Sequence, residues 1–234
     1  MEISIIIPAY NEEKRILKTI EKVYKYFKEK KLDFEIIVVD DGSKDKTVEV
    51  VNEFLKEKNE IKILKHEKNM GKGAAVKTGV LNASGDLILF TDADLSTPIE
   101  EFEKLKKKIE DGYDIAIGSR GLKESKIVIP QPFYRRIIGK IFPLLVRLII
   151  TNDFRDTQCG FKLFKREVAK KIFSQLKTEG FAFDVEILAR AKKYGYKIAE
   201  VGIVWYNSPH SSVRIFKDSF IMLFSLLKIR FKKC

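Results

Sequence analysis

Asp86-Leu87-Ile88-Leu89-Phe90-Thr91-Asp92-Ala93-Asp94 is the stretch from which the rest of this chain is read. An apolar run follows a Gly85-Asp86 turn, and two carboxylates then stand one residue apart. A short apolar run bounded by turn signals reads as a buried strand, and a parallel strand covered on both faces is apolar throughout. Asp92 and Asp94 then lie where the strand ends, the edge at which open α/β sheets bind ligands. Two neighbouring carboxylates repel each other unless a proton or cation intervenes. Mg²⁺ takes one or two carboxylates together with phosphate oxygens, so a divalent ion carrying a diphosphate suits this pair. A solvated acidic turn suits it as well, because Asp-x-Asp is short, and the flanking sequence has to decide.

Upstream, residues 3–8 form a β-rich run broken by Pro8-Ala9-Tyr10-Asn11-Glu12-Glu13. Asn11 is the expected N-cap of a helix reaching about residue 29, with Ile16, Leu17, Ile20, Val23, Tyr24 and Phe27 on one face. A strand over 34–39, the turn Asp40-Asp41-Gly42-Ser43-Lys44-Asp45, a helix over 46–58 and a strand over 61–65 follow. Asn69-Met70-Gly71-Lys72-Gly73 opens a helix through Ala83. Beyond the acidic pair, Thr97 is the expected cap of a helix begun by Pro98, and residues 114–118 make a fifth strand. This alternation predicts an α/β fold: a largely parallel central sheet with helices on both faces.

After Arg120 the pattern changes. Residues 121–132 read as a loop, 133–150 as an apolar, basic helix interrupted by Pro143, and 153–165 as turn and strand. Helices over 168–176 and 183–193, a strand region over 197–206 and an amphipathic helix over 216–231 complete the chain. The expected organisation is a catalytic domain over 1–213, with a nucleotide half (1–120) and an acceptor half (121–213), followed by a basic amphipathic helix over 214–234.

Three polar clusters follow successive apolar strands: Tyr10-Asn11-Glu12, Asp40-Asp41 and Asp92-Ala93-Asp94. Together they are placed to line one crevice, the first two reading a base and ribose and the third holding a metal. The plainer reading of Asp40 and Asp41 is that they cap the next helix. Gly71-Lys72-Gly73 has neither Walker A nor dinucleotide-fingerprint spacing. Its glycines are better explained by close packing, with Lys72 a phosphate contact. Cys159 reads as a small buried residue, Trp205 and Tyr206 as core or rim aromatics, and His66 as no metal ligand.

The chain has 234 residues, of which 45% are hydrophobic and 33% charged, enough for one sizeable core. Two distant cysteines, Cys159 and Cys234, offer neither a disulfide framework nor a zinc site. A strand begins at once, so no secretory signal is expected, and no stretch reaches the ~20 apolar residues of a spanning helix. The net charge of +12 is unevenly placed: 125–152 and 214–234 each carry +5 and the remaining residues only +2. Both basic segments are rich in Ile, Leu and Phe, which suits an anionic membrane surface better than nucleic acid. The expectation is a peripheral membrane protein with no nucleic-acid partner. The apolar stripe of the last helix is read as Phe216, Phe220, Leu223, Phe224 and Leu227.

Ile5-Ile6-Ile7-Pro8-Ala9-Tyr10-Asn11-Glu12, Val38-Val39-Asp40-Asp41-Gly42-Ser43 and Asp92-Ala93-Asp94 together resemble the signature of family 2 inverting glycosyltransferases of the type A nucleotide-sugar fold. Arg155-Asp156-Thr157-Gln158-Cys159-Gly160-Phe161-Lys162-Leu163-Phe164 and Phe181-Ala182-Phe183-Asp184-Val185-Glu186 resemble the dolichyl-phosphate β-glucosyltransferase branch. Gly118-Ser119-Arg120, and Arg136 with Gly139 and Phe142, fit the same branch. The resemblance implies that Pro8, Tyr10, Glu12 and Asp40 hold uracil and ribose, and that Asp92 and Asp94 engage Mg²⁺ or Mn²⁺ and the diphosphate. It places Gln158 and the Asp184/Glu186 pair at the sugar and acceptor side, and sets Arg120 against a phosphate. Two departures matter: His210-Ser211-Ser212 stands where the branch has Gly-Ser-Lys, leaving Arg214 to substitute, and Ser96 stands where mannosyl-transferring relatives have Gln.

The implied reaction is inverting transfer of glucose from UDP-glucose to a dolichyl or polyprenyl phosphate on the cytoplasmic face of a membrane. Arg135 and Arg136 are then placed to meet the lipid phosphate. A phosphate monoester is already a charged nucleophile, so this acceptor needs no general base. A hydroxyl acceptor does need one, with Asp184 or Glu186 the candidate. GDP-mannose and UDP-N-acetylglucosamine remain alternative donors. A non-enzymatic receiver module is shorter than this chain. Oligomeric state is not legible.

Overall fold

The computed structural model describes residues 1–56, 58–129, 142–207 and 215–231, with side chains in the last helix described from 221 onward. In chain order the elements are β1 (Ile3–Ala9), α1 (Ile16–Glu29), β2 (Phe34–Asp40), α2 (Thr47–Leu55), β3 (Ile61–Lys65), α3 (Lys72–Asn82) and β4 (Leu87–Thr91). A 3₁₀ turn (Ile99–Glu101) leads into α4 (Phe102–Glu110), β5 (Ile115–Ser119) and β6 (Lys126–Ile129). Helical residues 142–149 form α5. There follow β7 (Phe161–Lys165), α6 (Arg166–Ser174), α7 (Phe183–Lys193), β8 (Ile198–Gly202), β9 (Val204–Tyr206) and α8 (Ile215–Phe231).

Seven strands form one sheet in the order β3-β2-β1-β4-β7-β5-β8. All neighbours are parallel except β7, which runs antiparallel to both β4 and β5. Every residue of β1 and β2 is buried, as a strand covered on both faces requires. The period of two deals their side chains to opposite layers. Ile3, Ile5 and Ile7 join Phe34, Ile36 and Val38 under α1 and α4, whereas Ile6, Ile37 and Val39 face α3, α6 and α7. Phe27 of α1 packs between Phe34 and Phe102 at centroid distances of 5.6 and 5.3 Å.

A third cluster joins α5, α7 and α8: Phe142 and Val146, Ala182 and Val185, and Met222, Leu226 and Ile229. The packed stripe of α8 is therefore Met222-Leu226-Ile229, which is not the stripe expected to meet a membrane surface. Phe224 and Leu227 remain exposed with Ile221 and Phe231. The side chains of Phe216 and Phe220, which the expected stripe included, lie outside the described residues.

The structure corrects three local expectations. Asn11 does not cap α1, which starts at Ile16 with no side-chain cap; its Oδ1 accepts the Lys44 N–H at 2.8 Å, fastening the loop after β1 to the loop after β2. Thr97 caps nothing, and its hydroxyl lies 3.9 Å from Cys159 Sγ. Residues 126–129 are not loop but β6, paired in parallel with β9. Ile127-Val128-Ile129 has strand propensity, but its partner lies some 75 residues downstream, beyond the reach of local pattern.

Candidate active site

The strand order reverses between β1 and β4: the chain steps from β1 outward to β2 and β3, then returns to the other side of β1 with β4. A crevice opens at such a switch point, outside the carboxyl ends of the strands. Here the β1–β4 ladder stops at Ile6 and Phe90, while β1 continues along β2 to Ala9. The buried Pro8 faces Val39 of β2 with no partner on the β4 side. Tyr10, Glu12, Asp92 and Asp94 follow the ends of these two strands. The turn after the acidic pair is tight. Leu95 N–H donates to Asp92 O at 3.2 Å with Leu95 at φ +44°, and Asp94 Oδ1 accepts the Ser96 N–H at 3.0 Å. Leucine pays a steric penalty in that left-handed region, which marks the turn as held by its surroundings. Ala93 is buried, and its carbonyl accepts the Thr19 hydroxyl of α1 at 2.6 Å.

Because β7 is antiparallel, its first residues arrive at this same edge, opposite Thr91. Asp92 N–H donates to Gly160 O at 3.2 Å, and the Asp92 carboxylate rests on the Gly160 backbone. A Cβ at residue 160 would stand 2.1 Å from Asp92 Oδ2, so only glycine leaves the carboxylate its place. Lys72, the first residue of α3, sets its Nζ 2.7 Å from Asp92 Oδ1. That close ion pair is the contact Asp92 Oδ1 has in the described structure. Burial opposes the charge of Lys72, but Asp92, Asp184 and Asp94 outweigh it and hold its pKa above the usual lysine value.

Lys72 reaches this position through glycine packing, as its flanking residues suggested. Gly71 has φ +104°, and Cβ atoms at Gly71 and Gly73 would lie 2.5 Å from the Glu179 and Thr178 carbonyls. Asp41 fixes the approach: its carboxylate accepts the Met70 and Gly71 N–H groups at 2.9 and 2.7 Å and meets His66 Nδ1 at 2.7 Å. Asp41 thus braces the loop leading to Lys72 and is buried behind the crevice. His66 is occupied by Asp41 and Thr78, with no metal role.

Beside the crevice lies a cleft of about 590 Å³ lined by Tyr10, Asp40, Ser43, Lys65, His66 and Asn69 among others. Asp40 is buried at its mouth, accepting the Ser43 N–H at 3.2 Å through Oδ2. Glu12 is nearly buried and held in a two-point pair by Arg15, both contacts at 2.6 Å. Burial raises its pKa against the pull of Arg15, with Asp94 and Asp92 adding to the rise.

Arg120 is clamped by Asp156, Nε to Oδ2 at 2.6 Å and NH2 to Oδ1 at 2.9 Å, and its guanidinium lies 5.5 Å from the Trp205 ring centroid. Burial would raise Asp156, but Arg120 overrides it and holds the carboxyl at about 2. Gln158 is half-buried, and its N–H donates to Asp156 Oδ1 at 3.1 Å. Cys159 is buried, which pushes its thiol up to about 12 and makes it inert.

Lys162, fully buried in mid-strand, donates to Cys159 O and to Asp184 Oδ1, both at 2.5 Å. Burial raises the Asp184 pKa, with Lys162 and Lys72 opposing. Glu186 does not join Asp184. Its oxygens accept the Lys177 and Thr178 N–H groups at 3.1 and 2.8 Å and pair with Arg190 at 2.7 Å. Residues two apart on a helix point to nearly opposite sides. The expected Asp184/Glu186 pair is therefore split, and Glu186 is a brace for the loop before α7. Lys162 and Asp156 received no role from the sequence. A lysine inside Phe161-Lys162-Leu163-Phe164 breaks an apolar run, and that was the available signal. Arg135, Arg136 and Arg214 lie outside the described residues.

The donor set suits a divalent ion held jointly with a diphosphate. The orphaned Asp92 Oδ1 and the Gly160 cradle fix one carboxylate for it, with Asp94 two residues away. Among the described residues no cluster of three or more acidic, His or Cys ligands exists for a protein-only site.

Comparison with known proteins agrees with this geometry. Residues 4–173 match the family described as Glycosyl transferase family 2. The chain is 39% identical over 242 residues to a Dictyostelium discoideum protein named dolichyl-phosphate beta-glucosyltransferase, covering 98% of this chain and 74% of that one. It is 36% identical over 244 residues to the human protein of that name, covering 99% and 75%. The fold is shared with glucosyl-3-phosphoglycerate synthase from Mycobacterium tuberculosis, crystallised with Mn²⁺, UDP-glucose and phosphoglyceric acid (TM-score 0.69, 20% identity, covering 100% of this chain and 79% of that one). Mannosyl-3-phosphoglycerate synthase from Rubrobacter xylanophilus shares it too (TM-score 0.70, 17% identity, covering 100% and 74%).

Proposed function

The chain belongs to glycosyl transferase family 2, and on that premise we propose that it transfers glucose from UDP-glucose to a dolichyl or polyprenyl phosphate with inversion. The observation that carries the acceptor class is the state of the two candidate bases. Asp184 is paired with Lys162, and Glu186 is taken up by Arg190 and two backbone N–H groups. A hydroxyl acceptor needs a base to take its proton, whereas a phosphate monoester arrives charged.

In this reading Tyr10 and Asp40 receive the nucleoside in the cleft, with Pro8 holding the end of β1 behind Tyr10, and Asn11 and Ser43 joining its two loops. Lys72 faces the diphosphate. Asp92 and Asp94 hold Mg²⁺ or Mn²⁺, which when bound screens the charge developing on the leaving diphosphate. The acceptor oxygen attacks C1 from the face opposite the diphosphate, the bond from C1 to the diphosphate oxygen breaks, and UDP leaves. The chain's own work is orientation and charge placement. Arg120, oriented by Asp156 and Trp205, and Gln158 stand on the acceptor side. Arg135, Arg136 and Arg214 are the further proposed contacts to the lipid phosphate.

The proposed location is a membrane surface on its cytoplasmic face. Among the described residues no helix is long and apolar enough to cross a membrane. Leu144 and Leu148 of α5 and Ile221, Phe224, Leu227 and Phe231 of α8 are exposed, with Arg147, Lys228 and Arg230 exposed beside them. Such a mixture suits the headgroup region of an anionic bilayer. Titration calorimetry tests the donor half: UDP should bind, and Asp40→Ala should weaken it by at least about tenfold, 1.4 kcal/mol. Unchanged UDP affinity in that variant would remove Asp40 from the nucleoside site.

A further inference from the structure

Asp92 Oδ1 is the one buried side-chain polar atom among the described residues with no hydrogen bond, yet it has a cation 2.7 Å away in Lys72. Both features have local causes. Gly160 pins the carboxylate from behind, because its backbone occupies the space into which the carboxylate could retreat. Lys72 is pinned at its backbone, because Asp41 binds the two preceding N–H groups and the Thr178–Gly180 segment packs against Gly71 and Gly73. The side chain of Lys72 beyond its Cα is the free element. It is 22% exposed, unlike Lys162, which is fully buried between Cys159 O and Asp184. The ammonium lies 5.3 Å from the Phe90 ring centroid and is drawn by Asp92, Asp184 and Asp94 together.

We infer that Lys72 is a built-in substitute cation: it neutralises Asp92 while the crevice is empty and must release Asp92 before a divalent ion can use that oxygen. The inference deepens the donor-site reading and rests on Asp92 being a metal ligand. Its consequence is thermodynamic coupling. An ion alone has to displace a resident ammonium, so its affinity is reduced by the stability of the Lys72–Asp92 pair. A diphosphate offers the ammonium another anion, freeing Asp92 as it binds. Ion and diphosphate therefore each raise the affinity of the other by one shared factor, as linkage requires. The 2.7 Å ion pair on a flexible side chain fits this role, since Lys72 can turn to another anion without moving the backbone.

The test is Mn²⁺ binding followed by electron paramagnetic resonance on the full chain, with no sugar donor present. Wild type should bind Mn²⁺ weakly alone and at least about tenfold more tightly with saturating UDP, a coupling of about 1.4 kcal/mol. Lys72→Met should bind Mn²⁺ alone about tenfold more tightly than wild type, with a UDP enhancement smaller than wild type's by about the same factor; Lys72→Arg should retain the wild-type pattern. Thermal melting confirms that each variant is folded. Equal or weaker Mn²⁺ affinity in folded Lys72→Met without nucleotide overturns the inference, even if UDP and Mn²⁺ still bind. Absence of Mn²⁺ binding to wild type and Lys72→Met alike, with UDP present, overturns the metal-ligand reading beneath it as well.

Discussion

Asp184 and Glu186 sit two residues apart on α7 and face opposite sides of it, Asp184 toward Lys162 under the crevice and Glu186 toward Arg190 and the 177–178 backbone. Two carboxylates so close in sequence are thus one buried partner of Lys162 and one structural brace. Glu186→Gln should leave turnover per folded molecule within about threefold of wild type while costing about 3 kcal/mol of stability, because the buried Glu186–Arg190 ion pair is broken. Urea unfolding and steady-state kinetics on the same preparation check both halves.

Gly160→Ala probes the cradle. The added methyl must displace the Asp92 carboxylate, which a Cβ would otherwise meet at 2.1 Å. A misplacement of that order at a catalytic centre costs on the order of 100-fold in rate. Turnover and Mn²⁺ affinity should fall together in a protein that still melts cooperatively. Wild-type activity in this variant would separate Asp92 from the chemistry.

Acid stability should depend on Glu35. Burial alone would raise its pKa, but Lys62, Ser4 and Ser84 hold it near 2 against an ordinary 4.5. A carboxyl depressed in the folded state contributes its stability above about pH 4.5 and loses it as pH falls toward 2. The loss should be on the order of 3 kcal/mol. Glu35→Gln should be less stable at pH 7 and show a flatter dependence between those pH values, measured by denaturant unfolding.

Much of this layout was legible beforehand. The continuous apolar runs of β1, β2 and β4 reveal a sheet buried on both faces, and the polar clusters at their ends mark its carboxyl edge. The non-local pieces were not legible. The antiparallel insertion of β7 between β4 and β5 brings Gly160 and Lys162 to the crevice, and no local pattern announces a strand partner about 70 residues away. Which faces of α7 and α8 pack inward was not legible for a related reason. Both helices are apolar on more than one side, so the stripe that packs is chosen by its neighbours. On α8 those neighbours are Phe142, Val146 and Val185.

The exposed side of α5 and α8 gives a separate outcome. Leu148, Phe224 and Phe231 are 75%, 61% and 79% exposed, so replacing all three with Ser should not lower the melting temperature. Co-sedimentation with anionic liposomes should drop by more than about tenfold and, in wild type, fall with added salt. Undiminished sedimentation of the triple variant would place the docking surface elsewhere.

Transfer itself is the most direct test of the central claim. Purified protein is supplied with Mg²⁺ or Mn²⁺, labelled UDP-glucose, and either a polyprenyl phosphate or the matching polyprenol, with label followed into organic solvent. Labelled UDP-galactose, UDP-N-acetylglucosamine and GDP-mannose run in parallel. Label from UDP-glucose should enter the organic phase with the phosphate only, and Asp94→Ala or excess EDTA should abolish it. Label moving equally well onto the polyprenol, or from another donor in preference to UDP-glucose, would contradict the account.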